Sequence, residues 1–205
     1  MKNMKEIRFV ATNYLNLQGL RTIPVSLLLI LVVLWANGSK YPISAAGWLT
    51  LIIEVVVMAA AYFGIGQYYR HAFGQIKRTP ETLRLEWLTS IVFVILTLAA
   101  FWLDGKIKLP ISLLGLVFGL LLLTDYMRIT WLVKGKYLLY YPIGAVLIVV
   151  VSLLPLFGLP GWWHAVGLRS QIFAIALVIG IYMIIAGIWG QLYLVRTLSP
   201  KEEEK

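Results

Sequence analysis

The sequence predicts an all-α integral membrane protein with six transmembrane helices, paired as three helical hairpins behind an N-terminal amphipathic interfacial helix. Three observations carry that prediction. The 205 residues are 60% hydrophobic and only 13% charged, with a mean hydropathy of +0.85, where soluble domains carry about a quarter charged residues. The apolar residues gather into runs about as long as a bilayer core requires, roughly 20 residues of helix. The 18 lysines and arginines fall between those runs and divide unequally between alternate loops. Residues 1–205 therefore read as a single polytopic membrane domain.

Residues 1–20 place Met4, Ile7, Val10, Ala11, Tyr14 and Leu17 at helical spacing, with Lys5, Arg8, Thr12, Asn13 and Asn16 elsewhere on the wheel. That pattern suits a helix lying in the membrane interface or packed on the rest of the protein. Gly19 is expected to break it from the first span, 22–36, which is short for a crossing and needs local thinning of the bilayer or continuation from the preceding turn. A cleaved signal peptide is the rival reading, with Ala36 and Gly38 at a cleavage site, but the 21 residues ahead of the apolar run exceed a usual n-region. The second span, 45–66, has 22 residues, about 33 Å of helix, and Ser44 is placed to cap it. The third, 86–103, runs between interfacial indoles at Trp87 and Trp102. The fourth, 110–127, is expected to open at Pro110 and carries Gly115 and Gly119 in a GxxxG spacing for helix packing. The fifth, 137–156, holds Pro142 in its first turns and should start irregularly. The linker 157–169, with Pro160, Gly161, Trp162, Trp163 and His164, suits an interfacial loop. The sixth, 170–195, repeats Ala176, Gly180, Gly187 and Gly190 near helical period, a flat stripe for another helix.

With six spans, fourteen basic residues fall on the side of the termini, and Lys40, Lys106, Lys108 and Arg169 make four on the other. The positive-inside rule then puts both termini and the loops after the second and fourth spans in the cytoplasm, with the cytoplasmic membrane as the location. Each even-numbered span ends in a related pattern, Gln67-Tyr68-Tyr69-Arg70, Asp125-Tyr126-Met127-Arg128 and Gln191 through Arg196. A shared interfacial environment explains that likeness without an internal repeat. The net charge of +9 flanks apolar runs and builds no basic domain, so nucleic acid is not expected as a partner. The expected partners are the lipid bilayer and a protein in the membrane or cytoplasm, docked through Arg70, His71, Lys77, Arg78 and Arg84.

Chemistry is sparse. The absence of cysteine excludes disulfides and thiolate sites. GxSxG, HExxH and Walker A motifs are missing, so neither an enzyme, a cofactor nor a metal site is expected. Glu54 stands out because no lysine or arginine lies deep in any apolar run, and an unpaired charge at mid-bilayer is costly. Thr50 on its own helix, and Ser90 and Thr97 on the next, are its candidate partners for ion or substrate binding. Two functions follow. The first is a non-enzymatic membrane subunit or accessory protein that docks a partner through its basic loops. The alternative is a small transporter or permease subunit using Glu54, whereas a protonated Glu54 bonded across helices is a purely structural reading. Asp125 and Arg128 are spaced for a local ion pair at a helix end, while His71 and His164 fall on opposite sides of the membrane.

Overall fold

The computed structural model describes residues 14, 17–38, 44–73, 80–107, 109–127, 130, 138–159, 161–168 and 170–198. Among them the regular structure is helical: α1 (Thr22–Gly38), α2 (Ala45–Phe73), α3 (Pro80–Lys106), α4 (Leu113–Met127), α5 (Tyr140–Leu153), the short α6 (Trp162–Ala165) and α7 (Gln171–Leu198). Short 3-10 turns cover Gly19–Arg21 and Leu154–Phe157. Five of these segments are long and apolar enough to cross a membrane, and α4 is a shorter apolar helix. The protein is an all-helical, membrane-embedded chain.

Helix limits depart from hydropathy where polar chemistry decides them. α2 runs seven residues past Gly66 and α3 begins six residues before Glu86, because a helix need not stop where lipid stops. Pro110 does not open α4. The first helical residue is Leu113, and the carboxylate of Asp104, reaching across from α3, takes the place of a local cap. Its oxygens accept the Leu113 N–H at 2.8 Å, the Leu114 N–H at 3.0 Å and the Ser112 hydroxyl at 2.8 Å. The Ser112 oxygen in turn accepts the Gly115 N–H at 3.3 Å, so the unpaired donors of the first turn are met by one acid and one hydroxyl. Pro142 is the third residue of a regular α5, where a missing N–H costs nothing; the irregular start expected there is absent. The linker after Phe157 contains α6, closed by Gly167 at φ +73°. Ser44 does cap α2, its hydroxyl accepting the Gly47 N–H at 3.1 Å. Residues 1–13, most of the expected interfacial helix, lie outside the described residues, but Tyr14 and Leu17 are buried in the bundle and not spread on a surface.

The most extensive contacts join α4 to α5 and α1 to α7, and α5 and α4 both touch α7. α2 packs on α1 and on the Gly19–Arg21 turn, while α3 packs on α4 and more lightly on α7. A core of Ile148, Ile175 and Ile179 sits between α5 and α7. In lipid, apolar side chains gain little by leaving one hydrocarbon for another, so close backbone approach does the joining. Gly115 faces Ser152 and Ile175, Gly119 faces Val149, Gly180 faces Ile30 of α1, and Gly187 meets Thr22 and the backbone of Gly19.

Gly187→Leu should therefore drive a side chain into Thr22 and Gly19 and lower stability in detergent by about 1–3 kcal/mol, the range for overpacking. Gly64 is the control, since a methyl group added there would stand in open space with no neighbour within 4 Å. Gly64→Ala should leave the melting curve unchanged or raise stability by up to about 1 kcal/mol through helix propensity. Removing the carboxylate cap with Asp104→Ala should cost about 1–2 kcal/mol in the same measurement, and Asp104→Asn should recover part of it.

Candidate functional site

The polar groups of this chain gather at the two ends of the bundle, and the more elaborate gathering surrounds Tyr69. Along α2 the less exposed positions are Gly47, Leu51, Glu54, Met58, Ala61, Tyr62, Ile65, Gly66 and Tyr69, a helical stripe turned toward α1. The stripe ends on Tyr69, which is fully buried beside Tyr14, Leu17, Leu138 and Leu194. Its hydroxyl accepts the Leu20 N–H at 3.2 Å and donates to the side-chain oxygen of Gln191 on α7. The Tyr14 hydroxyl donates to the Tyr69 carbonyl at 2.9 Å, and the two rings meet edge to face, 6.5 Å apart. The Leu20 N–H belongs to the turn that opens α1, whose first donors have no acceptor within the helix, and Tyr69 supplies one; Tyr14 adds a bond to a carbonyl near the end of α2 and so ties the N-terminal segment to that helix. Burial pushes the Tyr14 phenol above its ordinary range, against a smaller opposing pull from its bond with Gln18, so the phenol keeps the proton it donates.

Arg21 lies alongside. Its guanidinium stacks 4.4 Å from the Tyr62 ring centre and donates to the Gln18 side chain at 3.2 Å. The bare backbone of Gly66 leaves room for it. Among the described residues Arg21 has an aromatic face and an amide as partners and no carboxylate.

Next to this cluster the helices part around a cavity of about 220 Å³, lined by Gly19 and Thr22, by Phe118 and Asp125 of α4, by Tyr140 and Tyr141 of α5, and by Tyr182 and Gly187 of α7 among others. Tyr140 and Tyr141 stack at 4.6 Å. The Tyr182 hydroxyl donates to the Tyr140 carbonyl at 3.2 Å, and its ring packs on Gly144. Asp125 is close enough to Tyr140 and Tyr182 to act on both phenols electrostatically. On the outer side of Tyr140 and Tyr182 runs an apolar groove of about 760 Å³ between α5 and α7, lined also by Ile143, Leu147, Ile181 and Trp189. A third hollow of about 310 Å³, between α3 and α4, is lined by Phe93, Thr97 and Val117.

The residues singled out from sequence are distributed as follows. Glu54 is half-exposed on the α1-facing stripe of α2, lines none of these three hollows, and has no side-chain partner among the described residues. Thr50 donates to the Ala46 carbonyl of its own helix at 3.0 Å. Ser90 is exposed on α3, and Thr97 faces α4. Since α2 packs on α1 and α3 on α4 and α7, Glu54 and the two hydroxyls occupy helices with different neighbours. Arg70, His71 and Arg84 are exposed; Lys77, Arg78 and Arg128 lie outside the described residues. Gly115, Gly119, Gly180 and Gly187 are all buried at helix contacts.

Sequence reasoning passed over Tyr14, Tyr69 and Gln191 as linked residues, and over the tyrosines around Asp125. One signal was present: the three similar span ends come together here, with Tyr69 bonded to Gln191 and Asp125 lining the adjoining cavity. Comparison of the chain with known protein families, curated proteins and solved structures found no match. The site's meaning rests on its own geometry.

Tyr69→Phe keeps the ring and removes a buried hydroxyl that has two partners. Leaving the Leu20 N–H without its acceptor and the Gln191 side-chain oxygen without its donor should lower stability by about 1–3 kcal/mol. Tyr14→Phe, which withdraws a donor from one carbonyl, should cost less, and thermal unfolding in detergent ranks the two.

Proposed function

We propose that this is a non-enzymatic multi-pass membrane protein acting as a membrane subunit or accessory protein, and that it docks a protein partner through basic residues on its cytoplasmic face. The proposal takes α4 as a sixth span, its 15 residues giving about 22 Å of helix, with the shortfall met by local thinning of the bilayer and by the apolar lead-in at Leu109 and Ile111. It places the Tyr69 end in the cytoplasm and the Asp104 end outside, on the charge division of the loops, in the cytoplasmic membrane.

One observation supports it above the others: a fully buried and doubly bonded Tyr69 is followed at once by exposed Arg70 and His71. Arg70 lies back toward the helix, its Nε donating to the Gly66 carbonyl at 3.4 Å. Exposed basic residues thus stand at a helix end that the bundle holds in place, which lowers the ordering cost of docking an acidic surface. Glu54 lines none of the three hollows described above, and the docking reading makes no use of it.

Two measurements test the proposal. Cysteines at Thr79 and Glu203 should resist an impermeant thiol reagent in intact cells while one at Ser39 reacts; the reverse pattern would overturn the orientation. In cross-linked membranes, the combined Arg70→Glu, His71→Glu and Arg84→Glu variant should lose at least tenfold of the partner that the wild type retains, since several opposed charge pairs are replaced by repulsions. Lys106→Glu, at the other end, should retain it. Equal retention by both variants defeats the docking face.

A further inference from the structure

We infer that Arg21 and Arg70 form a binding site for the phosphate of an anionic phospholipid, held beside Gly66 at the edge of the hydrocarbon. The inference goes beyond partner docking and does not depend on it.

The site follows from what converges on one glycine. Tyr62, Gly66 and Arg70 recur at every fourth residue of α2, so they share one face of the helix. Arg21, on the turn that opens α1, lays its guanidinium on that face from the neighbouring element. It stacks 4.4 Å from the Tyr62 ring centre, and a methyl group added at Gly66 would stand 3.4 Å from its Cζ and 3.5 Å from its Nε and Nη2. Arg70 reaches the same glycine from the next turn, its Nε donating to the Gly66 carbonyl at 3.4 Å. Two guanidinium groups held about one residue repel each other. Their own bonds use few of their donors. Arg21 commits Nη1 to the Gln18 side chain at 3.2 Å, and its Nε is buried without an acceptor. Among the described residues neither arginine pairs with a carboxylate. An anion seated between them offsets the repulsion and supplies acceptors, and a phosphate matches the planar fork of a guanidinium with two oxygens.

Depth selects a lipid as the source of that phosphate. Trp48 and Tyr68 are exposed aromatic residues of α2, about 30 Å apart along the helix, which is roughly the thickness of a hydrocarbon core. Side chains of this kind collect at its two boundaries. Arg21 meets α2 at Tyr62 and Gly66, just before Tyr68, and Arg70 comes just after it. The two arginines therefore straddle one boundary, where phosphates stand immediately beyond the acyl chains. A basic side chain at that depth reaches for the headgroups. Phe63, exposed on the same stretch of α2, offers apolar surface to the chains. Net charge selects the head. A choline or ethanolamine head brings an ammonium to a place that already holds two cations, whereas a glycerol head brings only the negative charge of its phosphate.

The test uses the purified full chain, delipidated in dodecyl maltoside and titrated with dioleoylphosphatidylglycerol at low mole fraction. The melting temperature should rise and saturate, as binding to the folded state alone requires. Dioleoylphosphatidylcholine, with the same chains, should need roughly tenfold more or beyond to reach the same rise, because its ammonium meets two cations. Glycerol phosphate, a similar head without chains, should give no rise at equal concentration; an equal rise would assign the site to a soluble phosphate and overturn lipid as its source. Arg21→Gln should weaken the phosphatidylglycerol response by about tenfold or more, the share of a charge-assisted pair of hydrogen bonds. Arg21→Lys should recover part of it, since the charge returns without the fork. Arg70→Gln, at an exposed position, should weaken it by roughly three- to tenfold, and it decides the matter if Arg21→Gln does not melt cooperatively. Lys106→Gln removes one exposed positive charge at the other end of the bundle and should leave the response unchanged. Native mass spectrometry should give the same ranking as phosphatidylglycerol molecules retained per chain, a readout that a mere loss of packing does not reorder. Equal responses to the two lipids, no saturation, an unchanged response in either glutamine variant of the arginines, or an equal loss in Lys106→Gln would overturn the site.

Discussion

Helices that meet inside a bilayer are held by how closely their backbones approach and by how completely their polar groups are paired, since lipid supplies no hydrophobic push of its own. The strongest joints in this protein obey that constraint. α1 meets α7 where Gly19 and Gly187 bring two backbones together, with the Thr22 hydroxyl donating to the Gly19 carbonyl at 2.7 Å. α4 meets α5 where Gly115 admits Ser152, whose own hydroxyl bonds back to the Ile148 carbonyl at 2.6 Å. The Ser152 carbonyl, in turn, accepts from the Ser112 backbone and the Gln171 side chain. At each joint a hydroxyl occupies the space that a missing side chain opened.

The ends of the helices show the second half of the constraint. An apolar helix in a membrane cannot leave its terminal N–H and carbonyl groups without partners, and water is only partly available near the interface. This chain answers with side chains supplied from other elements: Asp104 for α4 and Tyr69 for the turn that opens α1. Because the cap comes from a neighbour, each cap also fixes how two elements sit together. The arrangement explains why Tyr14, Leu17 and Gln18 are buried. They belong to the piece that closes the ends of α2 and α7.

The same tyrosine chemistry shapes the cavity. Tyr182 is admitted by Gly144 and tied to the Tyr140 carbonyl, which leaves its ring standing between the interior at Asp125 and the groove open to lipid. An interior space with Asp125 in its wall and a lateral groove open to lipid are thereby separated by two rings. The outer helices α2 and α3 take no part in it. Their sequence features, Glu54 and the hydroxyls of Thr50, Ser90 and Thr97, remain on the periphery of the packed unit.

By itself the sequence determined that the chain is helical and lives in a membrane, because hydropathy is a local sum that any window of roughly 20 residues reveals. It also marked Gly115, Gly119, Gly180 and Gly187 as small residues at helical spacing, and Ser44 as a cap, since each of these depends on residues a few positions apart. Helix ends at Phe73 and Pro80 escaped it, because a helix need not stop where the apolar run stops, and the start at Leu113 escaped it because a carboxylate from another helix sets it. Only the tertiary structure decided which polar residues meet. Asp104 reaches α4 across a turn, Tyr69 bonds to Gln191 over a separation of 122 residues, and Asp125 shares a cavity with Tyr182. Glu54 is the most conspicuous ionisable residue of the apolar runs, yet it gained no partner among the described residues. Its helix packs on α1, whose facing run carries no charge. Which helices become neighbours depends on the shapes of surfaces far apart in the chain, and no window along the sequence contains both.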